Sequence, residues 1–417
     1  MLPTATGGSA PPRPSTPSRP APNRPALGRF VAFALLLGVV AFGGGFAVAQ
    51  RIKRTVVDER QWLDEATFVE LFTVGSALPG TTSTNVLAMV GLRLAGVRGA
   101  LAGVAAFLAP STALMIAFGA AYAHVRSVTV ISSLLDGMSA ATVGIVAAVA
   151  FEMRPAAVHG RIGWLLAVGA TLALATHALN LLEVVALAGL VGAFALRPRR
   201  ARLPPSSAPA VTVERVDDQP FPPGSMRAFL PASPALFAMT LPSLVLLGVF
   251  ARIGIATFGG GFAMVTPLER EVVDARGWLT QAEFQDAIVL GQVTPGPVAI
   301  AATFVGYRVA GIAGALAATV GIFGPPFVLS VVVARSLGAF RRSRTVQGFL
   351  RGVAPAIVGV IAASAIALAR SSLHGALDGA IAVASVLLLA LRPKVSPLVP
   401  LAVGGAVTCI VRALGRF

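Results

Sequence analysis

The segment FGGGFAVAQRIKRTVVDERQWLDEATFVELFTVGSALPG occupies residues 42–80, and FGGGFAMVTPLEREVVDARGWLTQAEFQDAIVLGQVTPG occupies residues 258–296. The two segments align without a gap and are identical at 18 of 39 positions. The identities include charged and aromatic pairs: Arg54 and Arg270, Asp58 and Asp274, Trp62 and Trp278. Apolar bias alone does not produce such matches, so the chain is predicted to consist of two homologous halves.

The repeat continues beyond these segments after a shift of one residue. GLRLAGVRGAL (91–101) matches GYRVAGIAGAL (306–316), and DGMSAATVGIVAA (136–148) matches RGVAPAIVGVIAA (351–363). The predicted organisation is a disordered Pro/Arg-rich tail (1–28), a first repeat (29–196), a basic Pro-rich linker (197–227) and a second repeat (228–417).

The composition is that of a membrane protein. Hydrophobic residues make up 56% of the chain and charged residues 12%, about half the charged fraction of soluble domains. Apolar runs long enough to cross a bilayer recur along both halves. We therefore predict an all-α polytopic membrane protein of the cell (inner or plasma) membrane, with five or six membrane segments in each half, embedded in the lipid bilayer.

The charge and the reactive residues exclude several classes of function. The net charge is +16, but the basic residues lie in tails and loops between apolar runs, as the positive-inside rule requires, so no nucleic-acid partner is predicted. One cysteine and four scattered histidines give no metal site, and no cofactor is expected. No nucleophile–base arrangement or nucleotide fingerprint appears, so the chain is predicted not to be an enzyme. A homo-oligomer is compatible with the sequence.

Each half carries two interruptions in apolar segments. Two interrupted segments at corresponding positions of two halves indicate the binding site of a transporter. The predicted helix breaks at the first motif are Gly43, Gly44, Gly45, Gly259, Gly260 and Gly261. These glycines serve either a backbone break at a polar cavity or a close helix-packing face, and the sequence leaves both open.

The second interruption in each half contains Pro-Gly. Proline suits the first turn of a helix, so both breaks are predicted to start half-helices whose N-termini attract an oxyanion. The predicted substrate-binding residues are Pro79, Gly80, Thr81, Thr82, Ser83, Asn85, Arg93, Gln292, Thr294, Pro295, Gly296, Pro297 and Arg308. Arg93 and Arg308 are included as oxyanion ligands, with capping of a short interhelical loop as the alternative.

Two acidic residues share one aligned position inside apolar surroundings. Glu70 and Asp286 each precede the Gly of the Pro-Gly break by ten residues. An ionisable group within a membrane span is expensive and is by default a functional hypothesis. Both are predicted proton-coupling candidates, with a position at the membrane interface as the alternative.

These motifs together resemble the chromate ion transporter family in its long-chain, two-domain form. The resemblance rests on FGGGFA, LPG (78–80), GLRLAGVRGALAG (91–103) and the second-half partners GQVTPGP and FVGYRVAGIAGALAAT. It implies chromate export and halves of opposite orientation. The loop after the first motif is basic and its partner is acidic on balance, which also favours an inverted repeat.

Some residues depart from the family pattern. Thr81 follows Gly80 where the family has proline, and Ser76 stands where the second half has Gln292. The function predicted is that of a secondary transporter for a tetrahedral oxyanion, most simply chromate efflux giving chromate resistance. The alternatives are an importer or channel for sulfate or a related anion and, from another class, a membrane-embedded enzyme or an assembly scaffold.

Overall fold

The computed structural model describes residues 25–42, 44–197, 241–337, 340, 343–392 and 395–415. Most of the predicted tail, Gly43 and nearly all of the predicted linker lie outside these residues. The described residues form fourteen α-helices and contain no β-strand. The all-α prediction is confirmed.

The first half contains seven helices. They are α1 (Leu27–Val40), α2 (Gly44–Lys53, continued by a π-helical turn, Arg54–Glu59), α3 (Glu65–Ala77), α4 (Thr82–Arg126), α5 (Thr129–Ala157), α6 (Gly160–Ala175) and α7 (Leu181–Ala195). Polar caps start several of them: Asp64 accepts a hydrogen bond from the N–H of Thr67, and Asn180 forms a capping box with Glu183.

The second half repeats this order. Its helices are α8 (Leu241–Ala256), α9 (Val265–Glu269, between a 3₁₀ turn, Gly261–Met264, and a π turn, Arg270–Ala275), α10 (Gln281–Val293), α11 (Ala301–Arg335, preceded by a 3₁₀ turn, Val298–Ile300), α12 (Arg344–Ser372), α13 (Ala376–Leu391) and α14 (Leu398–Ala413). Even the π-helical turns recur at aligned positions, which confirms two homologous halves.

Helices α4 and α11 each reverse direction within their length. Ala95 and Gly96 are non-helical, and Gly96 adopts φ +63°, a left-handed conformation that glycine enters without steric cost. The backbones of Gly91 and Gly99 are in direct contact, although residues eight apart in a straight helix lie about 12 Å apart. The chain therefore folds back, giving α4 a short arm (82–94) and a long arm (97–126).

The same reversal occurs in α11 at Ala310 and Gly311, where Gly311 has φ +59°. Thr303 and Thr319 share a hydrogen bond of 2.7 Å between their hydroxyls across the reversal. The short arm of α11 covers residues 301–309 and its long arm covers residues 312–335.

Each short arm also packs against the helix that precedes it. In the first half, a Cβ on Gly75 of α3 would lie 3.0 Å from Val86 Cγ2 of the short arm. In the second half, a Cβ on Gly291 of α10 would lie 3.0 Å from the carbonyl oxygen of Val298. The pairs therefore form helical hairpins with the Pro-Gly breaks at their tips. We call α3 with the short arm of α4 hairpin 1, and α10 with residues 298–309 hairpin 2.

The two hairpins enter the molecule from opposite sides. The long arm of α4, about 45 Å long, begins beside the open end of hairpin 1. Near its middle, Ser111 lies against Gly296 at the tip of hairpin 2. Near its far end, the hydroxyl of Tyr122 donates to Asp286, close to the open end of hairpin 2. We call the side on which hairpin 1 opens face A, and the opposite side face B; the halves are inverted.

Helix α1 adds a second re-entrant element to the first half. It runs parallel to the long arm of α4, since Phe30 packs on Gly103 and Gly38 packs on Phe107. Its first turn lies near face A, where the ring of Phe30 is 6.4 Å from that of Trp62. Its last residues reach the middle of the molecule, and α2 returns toward face A. The corresponding helix α8 packs on α11 through Gly254 and Ile322.

The final helices of each half pack on the other half. Helices α6 and α7 pack on α12, while α13 and α14 pack on α5. Glycines bring these backbones together: Gly359 contacts Ala167, Gly352 contacts Ala188, Gly144 contacts Ala382 and Gly137 contacts Gly404. Such small-residue contacts are typical of helix association in membranes. The halves are thus interleaved.

The helices fit a multi-pass membrane protein. Four are long and apolar enough to cross a membrane: Thr82–Arg126, Thr129–Ala157, Val298–Arg335 and Arg344–Ser372. Shorter apolar helices, such as α6 and α7, expose large side chains outward, among them Leu165 at 72% and Phe194 at 74%, as expected of a surface covered by lipid. In the described part of each half, two re-entrant hairpins are followed by the long arm and three further helices that run between the faces.

Candidate functional site

The tip of hairpin 1 is held by the second half. Gly80 adopts φ +97°, and its N–H donates to the carbonyl of Thr257 at 2.5 Å. A Cβ at Gly80 would lie 2.5 Å from Cβ of Pro326 on the long arm of α11. Both the backbone conformation and the close approach therefore require glycine at this position.

The tip of hairpin 2 makes the reciprocal contacts. Gly296 has φ +122°, and its N–H donates to the carbonyl of Ala41 at 2.8 Å. A Cβ at Gly296 would lie 3.1 Å from Oγ of Ser111 on the long arm of α4. Each Pro-Gly break is thus bonded to the residue that precedes the FGGG motif of the other half.

The FGGG motifs lie over the first turns of the half-helices. A Cβ on Gly45 would lie 3.3 Å from Cβ of Thr82, and one on Gly261 would lie 3.0 Å from the backbone nitrogen of Ala299. Gly259 and Gly260 adopt φ +75° and +109°. The glycines of the second motif therefore provide both close packing and a break in the helical backbone. In the first motif, Gly44 begins α2 and Gly43 lies outside the described residues.

Both half-helices begin without a side-chain cap among the described residues. The first N–H groups of a helix have no partner within it, and Pro297 carries no N–H at all. The helix dipole adds about half a positive charge at each N-terminus. The two tips therefore present N–H donors and positive potential near the middle of the molecule.

The polar side chains after the first break are all buried. Thr81, Thr82, Ser83 and Asn85 are between 1% and 6% exposed. The hydroxyls of Thr81 and Thr84 share a hydrogen bond of 2.7 Å. These hydroxyls line the first turn of the short arm, where the predicted site places them.

Asn85 fastens the break rather than offering its amide to a ligand. Its Nδ2 donates to the carbonyls of Gly75 at 3.1 Å and Pro79 at 2.8 Å. Its Oδ1 is buried and has no hydrogen-bond partner among the described residues. The predicted binding residue Asn85 is therefore placed as a positioning residue for the tip.

The polar residues of hairpin 2 connect it to the first half. Gln292 Nε2 donates to Oγ1 of Thr142 on α5 at 2.9 Å, and Thr294 Oγ1 donates to Sδ of Met115 on α4 at 3.5 Å. The Oε1 of Gln292 is buried without a partner in the described part of the chain. Pro79 and Pro295 are buried at the two tips.

The two arginines of the predicted site lie far from the tips. Arg308 pairs with Glu283 at 2.6 Å and lies 5.2 Å above the ring of Tyr122. It is near the end of its short arm, roughly 17 Å along the helix from Pro297. Arg93 holds the corresponding place on hairpin 1, so neither arginine joins the tip residues, and both lie next to the reversals.

Asp286 belongs to a charged network at face B. The side chain of Asp286 is buried, accepting from Tyr122 at 2.6 Å and pairing with Arg126 at 3.1 Å. Arg126 also binds Asp136 at 2.9 Å, and Asp136 binds Arg412 at 2.7 Å. We call these five residues the face-B network; it joins α4, α5, α10 and α14. Glu70 takes the equivalent half-buried position on α3.

The sequence reasoning missed four members of this network: Tyr122, Arg126, Asp136 and Arg412. Tyr122 and Arg126 share one face of α4 at a spacing of four residues, but Asp136 and Arg412 lie on other helices, and no local spacing links any of the four to Asp286. Within the described residues, no group of His, Cys, Asp and Glu is arranged to hold a metal ion.

The chain matches known proteins over most of its length. The family model described as chromate transporter matches residues 28–193 and again residues 244–409, one copy in each half. No solved structure was found that matches the chain.

Three curated relatives are similar along both halves. The chromate transport protein of Cupriavidus metallidurans is 30% identical over 387 residues, covering 91% of each chain. That of Pseudomonas aeruginosa is 32% identical over 356 residues, covering 82% of this chain and 80% of its own. The probable chromate transport protein of Synechococcus elongatus is 31% identical over 354 residues, covering 84% and 86%. With two copies of the family model and these relatives, the chain belongs to the chromate transporter family.

Proposed function

We propose that the chain is a secondary transporter that exports chromate across the cell membrane. The anion binds between the tips of hairpins 1 and 2. The observation that carries the proposal is the pair of uncapped half-helix N-termini, which reach the middle of the molecule from opposite faces. The names of the relatives support chromate as the anion.

The chemistry of the tips suits a tetrahedral dianion. Oxyanions bind readily at helix N-termini because N–H donors and the helix dipole act together. Thr81, Thr82 and Ser83 add hydroxyls at the first tip. Two half-helices supply about one unit of positive charge against the two negative charges of chromate, so the anion is held without full neutralisation, which favours its release.

The distribution of basic residues supports an orientation with face A in the cytoplasm. Cytoplasmic surfaces of membrane proteins carry an excess of Lys and Arg. Among the described residues, the basic ones toward face A are Arg29, Arg51, Lys53, Arg54, Arg60, Arg93, Arg98, Arg154, Arg161, Arg197, Arg335, Arg344, Arg351 and Arg392. The described basic residues toward face B are fewer: Arg126, Arg252, Arg270, Arg276, Arg308, Arg370 and Arg412.

The membrane potential drives export in this orientation. A dianion that leaves a cell with a negative interior gains about 4.6 kcal/mol per 100 mV, twice the value for one charge. In this proposal the substrate arrives at face A and leaves at face B, where the ion pairs of the face-B network hold hairpin 2 to α4.

Asp286 and Glu70 are proposed to couple this cycle to protons. Arg126 balances the charge of Asp286 while the face-B network is intact. When the network separates, a buried carboxylate without a partner is costly and takes up a proton. Asp286→Asn and Glu70→Gln are therefore expected to flatten the pH dependence of transport; an unchanged profile in both variants contradicts this role.

Transport into membrane vesicles tests the proposal. Inside-out vesicles with the chain should accumulate radiolabelled chromate when the lumen is made positive, and right-side-out vesicles should not. Vesicles without the chain are the control. Sulfate in excess should inhibit this chromate uptake only weakly. Uptake only by right-side-out vesicles, or uptake of sulfate without chromate, would establish the importer or channel alternative instead.

A further inference from the structure

A cavity of about 750 Å³ opens on face A, separate from the hairpin tips. It lies where the end of α5, the end of α7 and the beginning of α12 meet. Ala156 and His159 line it from the first half, and Ala354 and Pro355 line it from α12. The cavity is therefore formed by both halves, where α12 packs on α6 and α7.

Among the described residues, the charged side chains that line this cavity are both arginines. Arg197 and Arg351 line it together with His159, and none of the described lining residues is acidic. Arg351 is exposed and forms no ion pair within the described residues. The guanidinium of Arg197 donates to the carbonyl of Ala193 and lies 5.4 Å from the ring of Phe194, neither of which removes its charge. The cavity thus has a positive potential that an anion would enter.

The matching place on face B has the opposite character. Asp136 aligns with Arg351 in the repeat. It is bound by Arg126 at 2.9 Å and Arg412 at 2.7 Å. The internal repeat therefore does not require a basic residue at the position of Arg351. Within the described part of the chain, face A therefore has two arginines without an ion pair beside a cavity, whereas Asp136 on face B is bound in ion pairs.

Two helices that line the cavity also contact the second FGGG motif. Met153 lies one turn below Ala156 on α5, and Ile357 follows Pro355 on α12; both side chains reach Gly259. At the neighbouring Gly260, no described residue beyond its chain neighbours has an atom within 4 Å of the position a Cβ would take. Gly261 then packs on the first turn of the half-helix that starts after Pro297.

We propose that this cavity is an anion entry site, in which His159, Arg197 and Arg351 hold a tetrahedral oxyanion before it moves past Met153 and Ile357 to the hairpin tips. The inference rests on the proposed function for the identity of the anion and for its destination. The anionic character of the ligand follows from the cavity itself. Arginine pairs suit oxyanions because their planar donors match two oxygens at once.

A thiol-reactivity measurement tests the cavity without any need for transport. Ala354→Cys is placed in a Cys409→Ser background, and its reaction rates with an anionic and a cationic methanethiosulfonate reagent are compared. Adding Arg197→Gln and Arg351→Gln should lower the anionic-to-cationic rate ratio by about fivefold or more at low salt. Adding Arg161→Gln, on the same face but outside the lining, should leave the ratio unchanged. Sulfate should slow the anionic reagent only when both arginines are present.

Transport kinetics then test the role in the pathway. Arg351→Gln should raise the KM for chromate several-fold in inside-out vesicles, with the maximal rate unchanged and the salt dependence of KM reduced. Arg351→Lys should restore most of the wild-type KM, and Arg161→Gln should match wild type.

The outcomes separate this inference from the proposed function. A rate ratio insensitive to both arginines, or a KM for Arg351→Gln equal to that of Arg161→Gln, overturns the entry site even if chromate is exported. A strong arginine effect on the rate ratio in a chain that does not move chromate supports an anion site and overturns only the proposed substrate.

Discussion

At the scale of single residues, the Pro-Gly breaks depend on two glycines that no other residue can replace without strain. Gly80 and Gly296 adopt φ +97° and +122°, where a side chain costs about 1–2 kcal/mol. The space available for a side chain differs between the two glycines. A Cβ at Gly80 would lie 2.5 Å from Cβ of Pro326, whereas one at Gly296 would lie 3.1 Å from Oγ of Ser111. A proline ring moves less easily than a serine hydroxyl.

Gly80→Ala is therefore expected to lose transport and to lower the melting temperature, and Gly296→Ala to do both to a smaller extent. Gly248→Ala is the matched control, because Gly248 lies in α8 with nothing within 4 Å of an added Cβ. It should transport normally and be neutral or up to about 1 kcal/mol more stable. Chromate flux in vesicles and thermal unfolding in detergent measure both quantities. Normal flux in both tip variants contradicts a site at the tips.

At the scale of elements, the face-B network fastens hairpin 2 to α4, α5 and α14. Its members differ in burial: the side chain of Asp286 is 2% exposed and that of Arg412 is 42% exposed. Removing one partner of a buried pair leaves an uncompensated charge and costs about 3–5 kcal/mol. An exposed pair contributes about 0–1 kcal/mol.

Arg126→Gln should accordingly destabilise the protein strongly, and Arg412→Gln only slightly. The double variant Arg126→Gln with Asp286→Asn should recover much of the loss, since the buried charge is then absent. Arg276→Gln, which removes an exposed ion pair to Glu271, serves as the surface control. Thermal unfolding compares the four variants. Equal decreases in melting temperature for Arg126→Gln and Arg412→Gln would show that the charge of Asp286 is not stabilised by Arg126.

At the scale of the whole molecule, the two halves are interleaved rather than joined end to end. Helix α12 of the second half packs on α6 and α7, and α5 of the first half packs on α13 and α14. In an isolated first half, α5 would lack α13 and α14, and in an isolated second half, α12 would lack α6 and α7. Each isolated half would then expose the glycine-lined surfaces at which these helices meet.

A chain cut between residues 197 and 241 should consequently work only when both parts are present. Co-expressed parts are expected to associate and transport chromate, because the contacts between them are extensive and need no covalent connection. Either part alone should be degraded. Co-purification through a tag on one part, together with vesicle flux, provides the measurement; a stable single part that does not bind the other would contradict the interleaved packing.

The inverted arrangement also places the ends of the described chain on opposite faces. Helix α1 starts at face A, and α14 ends near Asp136 at face B. With face A in the cytoplasm, alkaline phosphatase fused after residue 417 should be active, and a fluorescent protein fused there should be dark. The same reporters fused before residue 29 should give the reverse result. A fluorescent C-terminal fusion would show that the orientation is wrong.

The sequence alone determined the all-α class, the two halves and the positions of both kinds of break. These features are local or repeated: apolar length, the proline and glycine of each break, and 18 identities in 39 aligned positions. The inverted orientation was expected from charge and from the family resemblance. The predicted binding residues at the tips remain a proposal.

Only the tertiary structure decided which of the predicted residues lie together. Gly96 and Gly311 reverse their helices because their left-handed backbones turn each short arm back onto its long arm. Arg93 and Arg308 stand beside these reversals, a whole short arm away from the tips. Asp286 finds Tyr122 at a separation of 164 residues, a distance over which helical periodicity carries no information. Such contacts arise from the packing of one half against the other, and neither half contains the pattern that specifies them.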